Sequence, residues 1–303
     1  MQTEHLEEIG ARLCLLTHAA WEEGLPRVLT REQVRLLMSR GSLCSLVLRD
    51  MPGADAALVE RARALLGRVK AVCELARAYV GEGDRILLPG DSHWPRSLGA
   101  LGRQEPLFLF AKGDLSLLNQ RRIAVAGSRD IELGTMLDAQ NFGAKLADEG
   151  YVMVSGGARG VDIAAQKGVL QSGGGAIVVP AVPAGQLLRG QREQRAMNDG
   201  QLLILCDTLP DEPFSAQKAL VRNHTIFALV DAAVVVASRC GKGGSWQGAA
   251  ACLRGGWSPV YVLGDCGPDK LDNRELMRQG AKLLTLEKPL GEQLSVPKQL
   301  ALL

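Results

Sequence analysis

Four stretches of the chain offer glycine, a cation or both, as a phosphate-binding site needs. They are Gly127-Ser128-Arg129, Ser155-Gly156-Gly157-Ala158-Arg159-Gly160, Lys218 with Arg222-Asn223, and Lys242-Gly243-Gly244. Glycine lets backbone N–H groups approach a phosphate closely. Arginine supplies planar paired donors, and a helix that starts just after the loop adds partial positive charge. Any one of these loops is equally well explained as a tight strand-to-helix turn, with Arg159 simply pairing with Asp162. Four of them converging on one sheet edge point to a phosphate-bearing ligand.

Other chemistries find little support. No G-x-x-x-x-G-K-[ST] is present, since Gly241-Lys242 is followed by Gly243, and no G-x-G-x-x-G follows Gly127. ATP hydrolysis by a P-loop and hydride transfer on a dinucleotide therefore lose their usual loops. The four histidines are His5, His18, His93 and His224, and only His224 falls near a strand end, where a phosphate or base contact suits it better than catalysis. Ser128 and Ser155 sit where strand-end nucleophiles would, yet neither lies in a G-x-S-x-G elbow. Their hydroxyls are expected to donate to a phosphate or cap a helix. Trp246 and Trp257 flank a helix and are expected to pack, with base stacking as the alternative. Seven cysteines without a C-x-x-C pair indicate neither a disulfide framework nor a zinc site, so mostly buried thiols are expected. The sequence thus calls for no catalytic residue, no metal and no cofactor.

The elements that would carry these loops are legible in the pattern. From Arg122 onward, short apolar runs (Ile123 to Ala126, Val152 to Ser155, Ala176 to Val179, Leu202 to Cys206, Ala233 to Ala237, Val260 to Leu263) alternate with helical segments. The helices are expected near Leu133 to Asp148, Val161 to Gln171, Ser215 to Val230 and Ser245 to Leu253. Strands apolar on both faces that alternate with helices make an α/β fold: an extended Rossmann-like, doubly wound, mostly parallel sheet. Ligands of such a sheet bind outside the carboxyl ends of the strands, which is where the four stretches fall. Upstream, the first 80 residues show helical spacing broken at Gly24-Leu25-Pro26, Arg40-Gly41-Ser42 and Met51-Pro52-Gly53. One helix buries Leu58, Ala62, Leu65, Leu66 and Val69, with Asp55 placed to cap it. The expected division is a small all-α domain at 1–84 and the Rossmann-like domain at 85–303, joined by a proline-rich turn at 89–95.

Composition narrows the partners. With 35 Lys+Arg against 33 Asp+Glu, the net charge of +2 excludes binding of nucleic acid by bulk charge, so any polyanion site must be local. Hydrophobic residues at 47% and charged residues at 22% exclude a mostly disordered chain. The longest apolar runs fall far short of a membrane span, and the acidic, polar N-terminus is unlike a secretory leader. A cytoplasmic protein is expected.

At the loops, the chain resembles the DNA-processing protein A (DprA/Smf) family. The resemblance is carried by Ala124-Val125-Ala126-Gly127-Ser128-Arg129, Val154-Ser155-Gly156-Gly157-Ala158-Arg159-Gly160-Val161-Asp162, Arg222-Asn223-His224-Thr225-Ile226, and the run from Asn273 to Leu284. The linker with Pro89, Asp91, Trp94 and Pro95 is also similar, so the likeness covers roughly residues 85–290. It implies a Rossmann-like domain that binds single-stranded DNA in a basic pocket, dimerises, and helps load a RecA-type recombinase during DNA uptake or recombination. It also implies that the phosphate contacts come from Ser128, Arg129, Gly157, Arg159, Gly160, Arg222 and Asn223, with Lys242 added from its position in the loop. The sequence departs from the family pattern at Gln166, where a histidine is usual, at His224, where an arginine is, and at Gly243-Gly244-Ser245-Trp246-Gln247. The chain is expected to lack the winged helix that many members carry at the C-terminus.

A non-catalytic single-strand-binding protein is the favoured expectation. The alternative is a SLOG-like Rossmann sensor that binds a nucleotide or nucleotide-derived signal and informs partner proteins, with phage defence as one setting. A phosphoribohydrolase is disfavoured because Gly243-Gly244-Ser245-Trp246-Gln247-Gly248 lacks the threonine and glutamate of that loop.

Overall fold

The computed structural model describes residues 3–43, 55–81, 84–210, 213–264 and 273–294. The expected turn at Met51-Pro52-Gly53 and the thiols of Cys44 and Cys266 lie outside them. Two packed units emerge. One comprises Met1–Trp94, Arg103–Lys112 and Asp207–Leu209, and the other Pro95–Gly102, Gly113–Cys206 and Pro210–Leu303.

Among its described residues the first unit contains four α-helices, α1 (Thr3–Leu16), α2 (Arg31–Met38), α3 (Ala56–Leu66) and α4 (Val69–Gly81), and an antiparallel pair, β1 (Arg85–Leu87) and β2 (Leu109–Gly113). Local side chains fix the helix starts. Thr30 Oγ1 accepts the Gln33 N–H at 3.3 Å while Gln33 Oε1 accepts the Thr30 N–H at 3.0 Å, a reciprocal cap for α2. Asp55 caps α3 as expected, accepting the Ala57 N–H at 3.0 Å, and Leu58, Ala62, Leu65 and Leu66 are buried. Val69 does not continue that face, because α3 ends at Leu66 and Val69 opens α4. The break lets Arg68 turn inward, where it donates to the carbonyls of Ala19 at 2.6 Å, Thr17 at 2.8 Å and Cys14, just beyond or within the last turn of α1. In the linker, Asp91 closes the turn by accepting the Leu88 N–H at 2.8 Å.

The second unit is built on seven parallel strands. They are β3 (Arg122–Ala126), β4 (Val152–Ser155), β5 (Ala176–Val178), β6 (Leu202–Cys206), β7 (Ala232–Val235), β8 (Val260–Leu263) and β9 (Lys282–Leu284), in the spatial order β6-β5-β4-β3-β7-β8-β9. Helices α5 (Leu133–Asp148), α6 (Val161–Gln171), α7 (Ala184–Leu187), α8 (Gln191–Asn198), α9 (Ala216–Ala228), α10 (Gly243–Gly255), α11 (Asn273–Arg278) and α12 (Leu290–Gln293) complete it. Every residue of β4, β5, β6, β7 and β8 is buried, which is why those strands read as continuous apolar runs. The α/β, mostly parallel expectation therefore holds. Pattern alone did not mark α7 and α8, which are short and polar.

The strand order positions the site. From β3 the chain steps outward through β4, β5 and β6, then returns to the other side of β3 and steps outward again through β7, β8 and β9. With right-handed crossovers, this reversal puts successive helices on opposite faces and leaves a crevice between the carboxyl ends of β3 and β7. Among the described residues no helix is long and apolar enough to cross a membrane.

Candidate nucleic-acid interface

A cleft of about 540 Å³ occupies that crevice. The loops after β3 and β7 form its two lips, and α9 forms a wall. The lips are held together from below: the Ser128 N–H donates to the Ala237 carbonyl at 2.8 Å, and Ser245 Oγ donates to the Gly127 carbonyl at 2.7 Å. Behind the β7 lip, Ser238 Oγ donates to Asn273 Oδ1 at 2.7 Å, while the Asn273 amide donates to the Val236 carbonyl at 3.1 Å. The loop backbone is thus fixed while its cations face outward. Arg129, Arg239 and Lys242 are exposed at the rim. The nearest carboxylate, Asp130, reaches Arg239 only at 3.9 Å with both side chains in solvent, a contact that screens little of the charge. Lys242 occupies the N-cap position of α10, so the helix begins at the cleft and its N-terminal partial charge adds to that of the rim.

Beneath the rim lies a buried charge pair. Asp162, in the first turn of α6, accepts the N–H groups of Gly156 at 3.1 Å and Ala158 at 3.3 Å and faces Arg222 of α9. Burial pushes its carboxyl up to about 6, against the pull of Arg222, these two amides and Arg129. Arg222 is 5% exposed, and its guanidinium crosses directly over Gly156, where a Cβ would overlap Nη1. Glycine at 156 therefore admits the arginine, while its amide serves Asp162. Gly160 (φ +83°) starts α6 beneath the carbonyls of Ser128 and Arg129, which a side chain would strike.

The structure brings together most of the candidate residues. Ser128, Arg129, Gly156, Arg222 and Asn223 line the cleft, as do Lys242, Gly243 and Gly244. Gly157 and Arg159 line an adjoining cleft that shares Arg129, Gly156 and Arg222 with the first. Ser155, Gly160 and Lys218 line neither. Ser155 is buried and its hydroxyl accepts the Gly157 N–H at 3.3 Å, which makes it a support of the loop. Ser128 Oγ donates to the Asp130 carbonyl at 3.1 Å. Asn223 packs against α10, and a Cβ on Gly244 would come 2.7 Å from its amide nitrogen. The Asp162 pairing differs from the one read in sequence, since its geometry engages Arg222 and loop amides while Arg159 is exposed, with no ion-pair partner among the described residues.

His224 packs its ring 4.9 Å from that of Trp257 and reaches neither cleft. Trp246 does line the first cleft, with its indole N–H sealed and unpaired. Sequence reasoning passed over Phe214, which is 49% exposed, lines both clefts and sits 5.9 Å from the Arg129 guanidinium. Its only local signal is an aromatic residue standing just before a helix cap. Cys240, in the β7 loop, is exposed where buried thiols were expected. No cluster of metal-ligating side chains occurs among the described residues.

A doubly wound sheet with a cationic cleft at its reversal point defines a Rossmann-like protein. Residues 85–295 match the family described as DNA recombination-mediator protein A, and the chain belongs to that family. It is 31% identical over 172 residues to the DNA processing protein DprA of Mycobacterium tuberculosis, covering 51% of this chain and 43% of that protein. It is 29% identical over 184 residues to DprA of Streptococcus pneumoniae, covering 59% of this chain and 64% of that one. The matched stretches thus span less than two thirds of either relative. The fold superposes on the crystal structure of Streptococcus pneumoniae DprA with a TM-score of 0.67 at 21% identity, covering 94% of this chain and 95% of that one. Helicobacter pylori DprA, whose structure was solved to describe its single-stranded DNA binding mode, gives a TM-score of 0.56 at 24% identity over 66% of this chain and 90% of that one.

Proposed function

We propose that this protein binds single-stranded DNA through the cleft between β3 and β7, and that it handles the strand in recombination or DNA uptake without chemically altering it. The observation that carries this reading is the convergence of Arg129, Arg239 and Lys242 on one rim, backed by the N-terminus of α10. Phosphates would be held by Ser128, Arg129, Arg159, Lys242, Gly243 and Gly244. Arg222 and Asn223 form the wall that shapes the space. Residues 85–303 are the DNA-handling domain in this reading, and the helices of 1–84 an accessory module. A RecA-like recombinase is the proposed partner, a homodimer the proposed assembly and the cytoplasm the proposed site of action. An unreactive role fits the side chains: among the described residues, the one carboxyl whose ionisation is shifted near the cleft, Asp162, is buried beneath it and bonded to backbone amides.

Fluorescence-anisotropy titration of labelled single-stranded and duplex oligonucleotides at two salt concentrations tests the proposal. Tight, salt-sensitive binding that prefers single strands is expected. Arg129→Ala and Lys242→Ala should each reduce the slope of log affinity on log salt by about 0.7, one phosphate contact on a single strand. Absence of binding to any strand overturns the reading. Displacement by low concentrations of a mononucleotide would favour the nucleotide sensor, for which a cleft of about 540 Å³ is also large enough.

A further inference from the structure

Arg222 is buried between the two clefts and lines both. An anion in either cleft feels its charge strongly, because protein screens that charge less than water does. The same guanidinium faces the carboxyl of Asp162 on α6. Arg129, the second cation that acts on Asp162, also lines both clefts. Both charges that hold the carboxylate ionised are therefore charges a bound phosphate would draw on. Among the described residues no other charged side chain acts on this carboxyl, and its remaining partners are the amides of Gly156 and Ala158 in the loop after β4.

The hydrogen bonds leave room for a proton. Both amides end on one oxygen, Oδ2, at 3.1 and 3.3 Å. A proton on Oδ1 breaks neither bond, so the loop keeps its backbone in both states and only the charge changes. Burial has already pushed the carboxyl up to about 6, which leaves it largely ionised at neutral pH and largely protonated in mild acid. A phosphate beside Arg129 and Arg222 adds a second negative charge to the cluster and takes a share of their attraction. Both effects favour the neutral acid. Linkage fixes the converse: if the strand makes the proton bind more tightly, the proton makes the strand bind more tightly by the same factor.

We propose that a phosphate backbone and the Asp162 carboxylate compete for Arg222 and Arg129, so that binding a single strand takes up a proton at Asp162 and mild acid tightens the grip. This rests on the DNA-binding reading for the presence of the strand. Asp162 is then a positioning residue that sets how much of the Arg222 charge reaches the ligand. A histidine that gained its proton in acid would give the same sign. His224, however, packs against Trp257 and reaches neither cleft, while His5, His18 and His93 belong to the helical unit.

The test uses the full chain and an oligothymidylate without a terminal phosphate, so that nothing on the strand titrates in mild acid, and a label whose emission does not change with pH. Affinity read by anisotropy at fixed ionic strength should rise about tenfold from about pH 8 to about pH 5 and level off at both ends. Calorimetry at about pH 6.5 in two buffers of different ionisation enthalpy should show uptake of a fraction of a proton on binding. Asp162→Asn keeps an oxygen for the two amides and removes the titration. It should bind at about pH 8 as tightly as the wild type does at about pH 5, with no pH dependence and the same enthalpy in both buffers. His224→Asn should keep the wild-type profile. A wild type that binds equally well across the range overturns the coupling and leaves the DNA-binding reading standing. The coupling is likewise overturned if folded Asp162→Asn keeps the pH dependence, or if His224→Asn loses it. If the strand binds at no pH, the DNA-binding reading fails and the coupling falls with it.

Discussion

Two arginines, Arg68 in the helical unit and Arg222 in the sheet unit, are each 5% exposed, and they are used in opposite ways. Arg68 donates to the carbonyls of Cys14, Thr17, Ala19 and Leu65 and carries the Trp21 ring 4.9 Å from its guanidinium. Its donors end on uncharged backbone acceptors, so the charge serves to fasten the end of α1 to the junction of α3 and α4. Arg222 faces the carboxylate of Asp162, lies over Gly156 and lines both clefts. The same burial thus produces a structural staple in one unit and, in the other, a charge balanced beside open space. The second arrangement keeps positive potential next to the rim while its partner carboxylate holds the loop amides in place.

The largest effect should come from removing the staple. Arg68→Ala leaves several buried carbonyls without donors, and a loss of about 4 kcal/mol is expected in urea unfolding, with the affinity for single-stranded DNA unchanged wherever the chain remains folded. Loss of DNA affinity in the folded variant would blur the contrast between the two arginines.

Asp162 gives the comparison a pH signature. Its folded-state value of about 6 lies above the ordinary 3.8, so the native state binds the proton more tightly than the unfolded chain does. The associated stability is fully present below about pH 4 and is lost as pH rises through 6. Relative to Asp162→Asn, the wild type should therefore lose about 3 kcal/mol between these limits, read from paired denaturation curves. A pH-independent difference would mean that Arg222 already holds the carboxylate ionised.

A double-mutant cycle sharpens the pairing itself. Arg222→Ala strands the Asp162 carboxylate, and adding Asp162→Asn should restore about 2 kcal/mol of what the single change costs. Simple additivity would show that Arg222 is held by other contacts. The smallest effect belongs to a local feature: Asp55→Ala should cost about 1 kcal/mol through the lost cap of α3 and leave both arginines undisturbed.

That cap was readable in the sequence because its partners are two residues apart. The alternation of apolar runs with helices is similarly local, and the structure follows it. Three of the four stretches also stand at strand ends, since alternating β and α elements leave few other places for glycine-rich loops, whereas Lys218, Arg222 and Asn223 lie within α9. Where sequence reasoning stopped short, the partners are distant. Asp162 and Arg222 are sixty positions apart, and nothing near Asp162 distinguishes Arg222 from the adjacent Arg159 as its counter-charge. The end of α3 at Leu66 shows the same limit: helical periodicity continued into Val69, but the inward turn of Arg68 depends on acceptors in α1.

By itself the sequence determined the class of fold, the helix starts and the chemical character of the loops, all properties of a few neighbouring residues and their hydrogen-bonding options. Only the tertiary structure decided the strand order that opens a crevice between β3 and β7, which cations remain at its rim, and which side chains are buried without a partner. Those outcomes depend on the assembled sheet, which brings together groups far apart in the chain and excludes water from some of them while leaving others exposed.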